Sequence, residues 1–232
     1  LELGGNAALI VHGDWPDLDD AALKTAHAAF GYAGQSCISV QRIFVERRIF
    51  QTFLWKMADL AAKLVVGDPA NEATDVGPMI RLSDAERVEA WVKEAVEGGA
   101  KMVLGEERKG SLLHPAILTG TKPGMKLRDE EAFGPVVVVE PYDDFEQALA
   151  EVNHSKYGLQ AGLMTRDAGH IMTAFRELEV GALIVGDTPT WRLDPMPYGG
   201  VKESGLGREG IRSSIEEMTE PRMLVMTGIG QN

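Results

Sequence analysis

The chain has 232 residues, 44% of them hydrophobic and 25% charged, with a formal net charge of −12. That length holds one large α/β domain or two small ones, and the balance is that of a soluble protein with a sizeable core. The acidic surplus argues against nucleic acid or an anionic membrane surface as partner, since both are bound through excess Lys and Arg.

A small substrate stays open, because a local pocket can oppose the global sign. The single cysteine, Cys37, cannot form an internal disulfide, so nothing suggests secretion. No apolar run approaches the ~18 residues needed to span a bilayer. The expected location is the cytoplasm. The five histidines show no metal-ligand spacing and one thiol cannot build a zinc cluster, so no metal site is expected.

In chain order, residues 1–5 (LELGG) form a strand-then-turn pattern that looks entered midway, without an initiator Met or a signal peptide, and read as the start of a fragment or processed piece. Residues 18–32 read as an Ala-rich helix, with Asp17, Asp19 and Asp20 placed to cap and charge its start. Residues 42–46 read as a short strand. Phe50, Phe53, Leu54, Met57, Ala61 and Leu64 then fall at helical spacing, and Gly67-Asp68-Pro69 stops that helix. Ser83 and Glu86 fit a capping box ahead of Val88, Trp91, Val92, Ala95 and Val96 on one helical face.

Short strands follow at 101–104 and 116–118, and a stronger one at 136–140, whose run of four valines suits a buried strand. A helix at 145–153, a strand at 160–165, a helix at 168–178 and a strand at 182–185 complete the alternation. Strands alternating with helices at this spacing predict crossover connections and an α/β fold with a largely parallel sheet flanked by helices. After Arg192 the pattern breaks into a Pro- and Gly-rich stretch, then a short helix at 211–218 and a strand-like run at 223–227. The acidic pairs Asp19-Asp20 and Asp143-Asp144 sit at helix starts, where capping explains them.

Gly205, Gly207 and Gly210 match G-x-G-x-x-G, but without a preceding strand and with 22 residues after them. The dinucleotide fingerprint needs a βαβ unit around it, so these glycines read as turns that need positive φ. Cys37 by residue type alone is more often a small buried hydrophobe than a nucleophile.

Several stretches, in order, resemble the C-terminal half of the NAD(P)-dependent aldehyde dehydrogenase superfamily: LELGG at 1–5, GQSC at 34–37, EEAFGPVV at 130–137 and MPYGGVKESGLGREG at 196–210, with VGDP at 66–69 and NHSKYGLQAGL at 153–163 in support. The resemblance runs almost end to end. It implies a fold of the family's catalytic-domain type, with residues 1–4 as the hinge out of a cofactor domain, 5–209 as the catalytic domain and 210–232 as a tail carrying an oligomerisation strand.

It implies Cys37 as the nucleophile, with its backbone N–H as an oxyanion donor. Glu2 becomes the carboxylate that activates the hydrolytic water, Glu131 the residue that holds the nicotinamide ribose, and Phe133 a neighbour of the nicotinamide. The cofactor would be NAD or NADP, the substrate a small aldehyde and the assembly a homodimer or homotetramer.

The chemistry suits these residue types. A thiolate adds to an aldehyde, the oxyanion needs preorganised donors, and hydrolysis of the resulting thioester needs a carboxylate base. On residue type alone, Glu131 is equally a charge at a helix or strand end, and Phe133 a core residue. The loop at 186–200 corresponds to the substrate mouth of relatives. There Trp191 would wall the pocket and Arg192 would hold a carboxylate or phosphate, which suggests a small polar or anionic aldehyde. A surface salt bridge of Arg192 with Asp194 or another acid is an equal reading. Residues lying upstream in the family would supply the phosphate-facing turn and an Asn of the oxyanion hole, so these 232 residues alone should bind NAD(P) poorly. The alternative function is a non-catalytic folding or oligomerisation module, with 223–227 adding to a neighbour's sheet.

Overall fold

The computed structural model describes residues 1–105 and 108–229. The elements run β1 (Ala7–Val11), α1 (Leu18–Phe30), a 3-10 turn (Gly31–Gly34), β2 (Val40–Glu46), α2 (Arg47–Ala62), α3 (Leu82–Glu97), β3 (Lys101–Leu104), β4 (Ala116–Thr119), α4 (Lys126–Asp129), β5 (Val136–Tyr142), α5 (Phe145–Asn153), β6 (Tyr157–Gly158), β7 (Gln160–Met164), α6 (Ala168–Glu177), β8 (Ala182–Val185), β9 (Val201–Lys202) and α7 (Ile211–Met218).

Seven strands form one sheet in the order β3-β4-β5-β2-β1-β7-β8. Only the β3–β4 pair is antiparallel. Helices cover both faces. On one, Leu9, Val11, Ile43 and Val45 pack with side chains of α1, α2 and α3. On the other, Ala8, Ile10, Phe44 and Tyr142 pack with α5 and α6. Successive residues of β1 and β2 thus feed opposite cores, as the two-residue period of a strand requires. The expected α/β architecture is the one found.

Local chemistry fixes several boundaries. Asp17 caps α1, accepting from the Asp19 and Asp20 amides at 3.0 and 2.9 Å. Asp144 caps α5 through Gln147 N–H at 2.9 Å, and Asp143 beside it pairs with Arg47. Other expectations need correction. The helix at 18–32 ends at Phe30, because Tyr32 and Ala33 turn left-handed. The helix stopped by Gly67 in the sequence reading already ends at Ala62. The capping box is not used: α3 begins at Leu82 with Arg81 before it and no side-chain cap, so Ser83 lies inside the helix. β1, with all five residues buried, had no counterpart in the sequence reading.

The run 223–227 forms no strand in the single chain. Met223, Leu224, Val225 and Met226 are exposed there. Residues 230–232 of the expected tail lie outside the described residues. Gly205, Gly207 and Gly210 all have positive φ, at 146°, 76° and 118°, as turn glycines should.

Candidate active site

Cys37 precedes β2, Glu131 precedes β5 and Gly5 precedes β1. These three strands are parallel neighbours at the centre of the sheet, so their approaches meet at one amino edge. Open α/β sheets generally bind ligands at the opposite, carboxyl edge.

The loop that carries Cys37 is strained. Tyr32 and Ala33 (φ 54° each) and Gly34 (φ 67°) occupy the left-handed region in succession. Each non-Gly residue there costs about 1–2 kcal/mol, and such strain clusters at functional sites. Gly34 is required on a second count, because a Cβ would overlap the Gly134 backbone. The loop is pinned at both ends. The Gln35 side-chain Oε1 accepts from Ile80 N–H at 2.9 Å, and Ser39 Oγ donates to the Ala28 and Ala29 carbonyls at 3.1 Å. Cys37 is half-buried, packs against a small apolar cluster of Ile38, Leu159 and Tyr198, and sets its Sγ 3.0 Å from the Tyr198 hydroxyl.

Behind the loop, glycine allows close approach. A Cβ on Gly5 would overlap the Cys37 carbonyl oxygen. The Gly5 N–H donates to Glu131 Oε1 at 2.8 Å, which joins the β1 approach to the β5 approach. Gly4 (φ 111°) lies under the same carboxylate, where a Cβ would come within 2.7 Å of Glu131 Oε2. Burial raises the Glu131 carboxyl above its ordinary value, and the Gly5 hydrogen bond and Arg87 pull it back.

Gln41, 2% exposed, clamps the two segments. Its amide oxygen accepts from Ala132 N–H at 2.8 Å and its amide nitrogen donates to the Gly5 carbonyl at 3.2 Å. Arg87 donates to the Ala132 carbonyl at 2.9 Å. Between these anchors Phe133 is half-buried with φ 48°, a conformation uncommon for a bulky residue.

The last contributor is the loop after β8. Leu1 and Leu3 bond to Leu206 and Ser204, and Glu2 forms a bridge with Gly205. This lays the Glu2 carboxyl against that of Glu209. Burial, then the hydrogen bond and charge of Glu209, hold Glu2 above the usual carboxylate range, while Arg192 lowers it. Arg192 donates to Glu209 at 2.6 Å and its guanidinium stacks 4.0 Å over the Tyr198 ring.

The salt-bridge reading of Arg192 is therefore realised, with Glu209 rather than Asp194, at the edge of the Cys37 cluster. Trp191 lies on the same loop, 44% exposed, its N–H on the Thr188 carbonyl at 3.1 Å. A cleft of about 580 Å³ runs beside the Cys37 loop, walled by Ser36 and Ile38 together with Tyr32, Lys24, Thr188 and Thr190. A cavity of about 500 Å³ between α3 and the β3–β4 edge contains none of the candidate residues.

Two alternatives weaken on this geometry. The G-x-G-x-x-G amides are already engaged: Leu206 N–H on Leu1, Arg208 N–H on Glu217 and Glu209 N–H on Tyr198. They are not aimed at a phosphate. Among the described residues no group of His, Cys, Asp and Glu could hold a metal ion. Sequence reasoning did not single out Tyr198, Glu209 or Gln41. The first two lay inside a quoted motif, and the polar pair Gln41-Arg42 in an otherwise apolar strand was the available signal for the third.

Residues 1–224 match the family model described as "Aldehyde dehydrogenase family". The chain is 54% identical over 226 residues, 97% of its length, to a 3-sulfolactaldehyde dehydrogenase of Priestia megaterium, of which that match covers 47%. It is 43% identical to a lactaldehyde dehydrogenase of Methanococcus vannielii over 97% of this chain and 48% of that one.

Among solved structures it superposes on aldehyde dehydrogenase 21 of Physcomitrella patens, in complex with the product succinate. The TM-score there is 0.96 at 41% identity, covering all of this chain and 48% of that one. It also superposes on a glyceraldehyde-3-phosphate dehydrogenase of Methanocaldococcus jannaschii complexed with NADP, with a TM-score of 0.90 at 39% identity, covering 94% of this chain and 47% of that one. The chain spans about half the length of the relatives it matches, and it belongs to the aldehyde dehydrogenase family.

Proposed function

We propose that this chain is the catalytic, C-terminal half of an NAD(P)-dependent enzyme that oxidises a small polar or anionic aldehyde to a carboxylic acid through an acyl group on Cys37. One observation carries the reading. Four segments far apart in sequence join in one cluster around half-buried Cys37: Tyr198 touches its sulfur, Gly5 lies against its carbonyl and bonds Glu131, and Glu2 bonds Glu209 beside Tyr198.

The Cys37 thiolate attacks the carbonyl carbon, and its own backbone N–H steadies the oxyanion of the thiohemiacetal. Loss of hydride from that carbon leaves a thioester on Cys37. Glu2 then removes a proton from a water that attacks the thioester, and the acid departs as the sulfur regains its electron pair. The Glu2–Glu209 contact gives that base a carboxyl neighbour with which to share the proton.

The residues present fit the nicotinamide end of NAD or NADP. Glu131 uses Oε1 for Gly5 N–H and has Oε2 over the Cβ-less Gly4, an acceptor suited to a ribose hydroxyl. Phe133 offers an aromatic wall. When bound, the nicotinamide supplies the hydride acceptor.

Residues 1–4 act as the hinge to a cofactor domain and 5–209 as the catalytic domain. The exposed run 223–227 in the tail pairs with a second copy in a homodimer or homotetramer. No described helix is long and apolar enough to cross a membrane, which is compatible with a cytoplasmic enzyme. The named relatives act on sulfonated and hydroxylated aldehydes, in keeping with Arg192 as the holder of an anionic group once the substrate displaces Glu209.

Turnover of the full-length enzyme on sulfonated, carboxylated and aliphatic aldehydes tests this. Arg192→Ala should lower kcat/KM for the anionic substrates by about 10- to 100-fold more than for the aliphatic one, the worth of a charged hydrogen bond. An equal loss on all three contradicts the assignment.

A further inference from the structure

The Tyr198 hydroxyl has a role in this cluster that neither the sequence nor the comparisons assign. Tyr198 is 2% exposed, so its O–H must find a partner within the protein. That partner is Cys37 Sγ at 3.0 Å, from a residue 161 positions away. The ring is held from several sides. Its backbone N–H donates to the Glu209 carbonyl at 3.0 Å and its carbonyl accepts from Glu209 N–H at 2.7 Å. The Arg192 guanidinium lies 4.0 Å from the ring centroid, and Ile38 and Leu159 complete the packing.

We propose that Tyr198 is the positioning residue of the nucleophile: its hydroxyl donates a hydrogen bond to the Cys37 sulfur and stabilises the thiolate that attacks the aldehyde. The inference rests on reading Cys37 as the nucleophile.

The donor direction follows from charge. A thiolate has no proton to give, so the phenol must be the donor. The phenol keeps its proton, because burial first, then the Cys37 hydrogen bond and the charges of Cys37 and Glu2, push its ionisation far up, with Arg192 alone opposing. These are the charged and titratable groups that face Tyr198; Glu209 adds its carboxylate through Arg192. No proton moves through Tyr198 in this role. The hydrogen bond is present before attack, weakens when the sulfur becomes covalently bound, and re-forms when the thioester opens.

The test is the rate at which iodoacetamide alkylates the Cys37 peptide of the full-length protein, followed by mass spectrometry across pH, in the parent and in Tyr198→Phe. Phe retains the ring and its packing but lacks the donor. Tyr198→Phe should be alkylated about tenfold more slowly at neutral pH, the scale of a hydrogen bond to a charged group. It should catch up in alkaline solution, where the thiolate forms unaided. Fluorotyrosine at the same position, a stronger donor of nearly the same shape, should shift the profile the opposite way.

Identical profiles in parent and variant, or a variant slowed by one factor at every pH, would overturn the proposal. Cys37→Ser separates the two claims. Aldehyde turnover surviving in that variant sinks the nucleophile reading, whereas turnover lost there with an unmoved Tyr198→Phe profile sinks the tyrosine role alone.

Discussion

Gln41→Leu probes the clamp that brings two distant segments together behind Cys37. The side chain is 2% exposed and satisfies the Ala132 N–H at 2.8 Å and the Gly5 carbonyl at 3.2 Å. Leu has nearly the same volume, so no sizeable cavity opens. It removes the partner that Gln41 gives each backbone group, in a buried position. Each stranded group costs about 1–3 kcal/mol. The added apolar burial returns at most about 1 kcal/mol. The net loss should be about 3 kcal/mol.

Urea unfolding reads this as a lower midpoint with an unchanged slope, since the surface exposed on unfolding is the same. The Gly5 amide is also the donor to Glu131, so KM for the nicotinamide cofactor should rise in the full-length enzyme. A loss below about 1 kcal/mol, the contribution of a single ordinary hydrogen bond, would refute the clamp.

Two further outcomes follow from the geometry. The proposed role of Glu2 as base needs its ionised form, and burial together with Glu209 raises its carboxyl while Arg192 lowers it. Glu209→Gln removes the like charge and releases Arg192, so Glu2 ionises at lower pH and the acid limb of a deacylation-limited rate should move down; an unmoved limb contradicts the pairing. Tyr32 is 87% exposed at φ 54°, so Tyr32→Gly relieves strain with little loss of packing and should raise stability by about 1 kcal/mol in the same urea titration, against no gain if the turn is unstrained.

Different parts of the molecule were legible in the sequence to different degrees, for physical reasons. Helices with one buried face announced themselves, and α5 has the bounds the sequence predicts; α7 has its expected bounds too, although it buries no residue in the single chain. β1 did not. It is buried on both faces and lacks the polar–apolar alternation that marks a half-exposed strand. The Ser83–Glu86 box failed because the chain enters α3 before Ser83, so the box residues lie inside the first turn.

At the site, Cys37 and Glu131 stood out through local motifs, and the structure puts both at the amino edge of the central strands. Tyr198, Glu209 and Gln41 acquire meaning only when distant segments meet, as in the Tyr198–Cys37 and Gln41–Ala132 contacts. Local pattern carries no signal for that. Arg192 shows the converse: both of its sequence readings, ion pair and anion holder, concern one guanidinium between Glu209 and the Tyr198 ring.

The most direct measurement is to trap the acyl group. Full-length enzyme carrying Glu2→Gln, which would form the thioester but hydrolyse it slowly, is mixed with aldehyde and NAD(P), quenched in acid and digested. Mass spectrometry should find the acyl mass on the peptide containing Cys37, in proportion to the reduced cofactor formed in the first turnover. Reduced cofactor formed with that peptide unmodified would contradict the account.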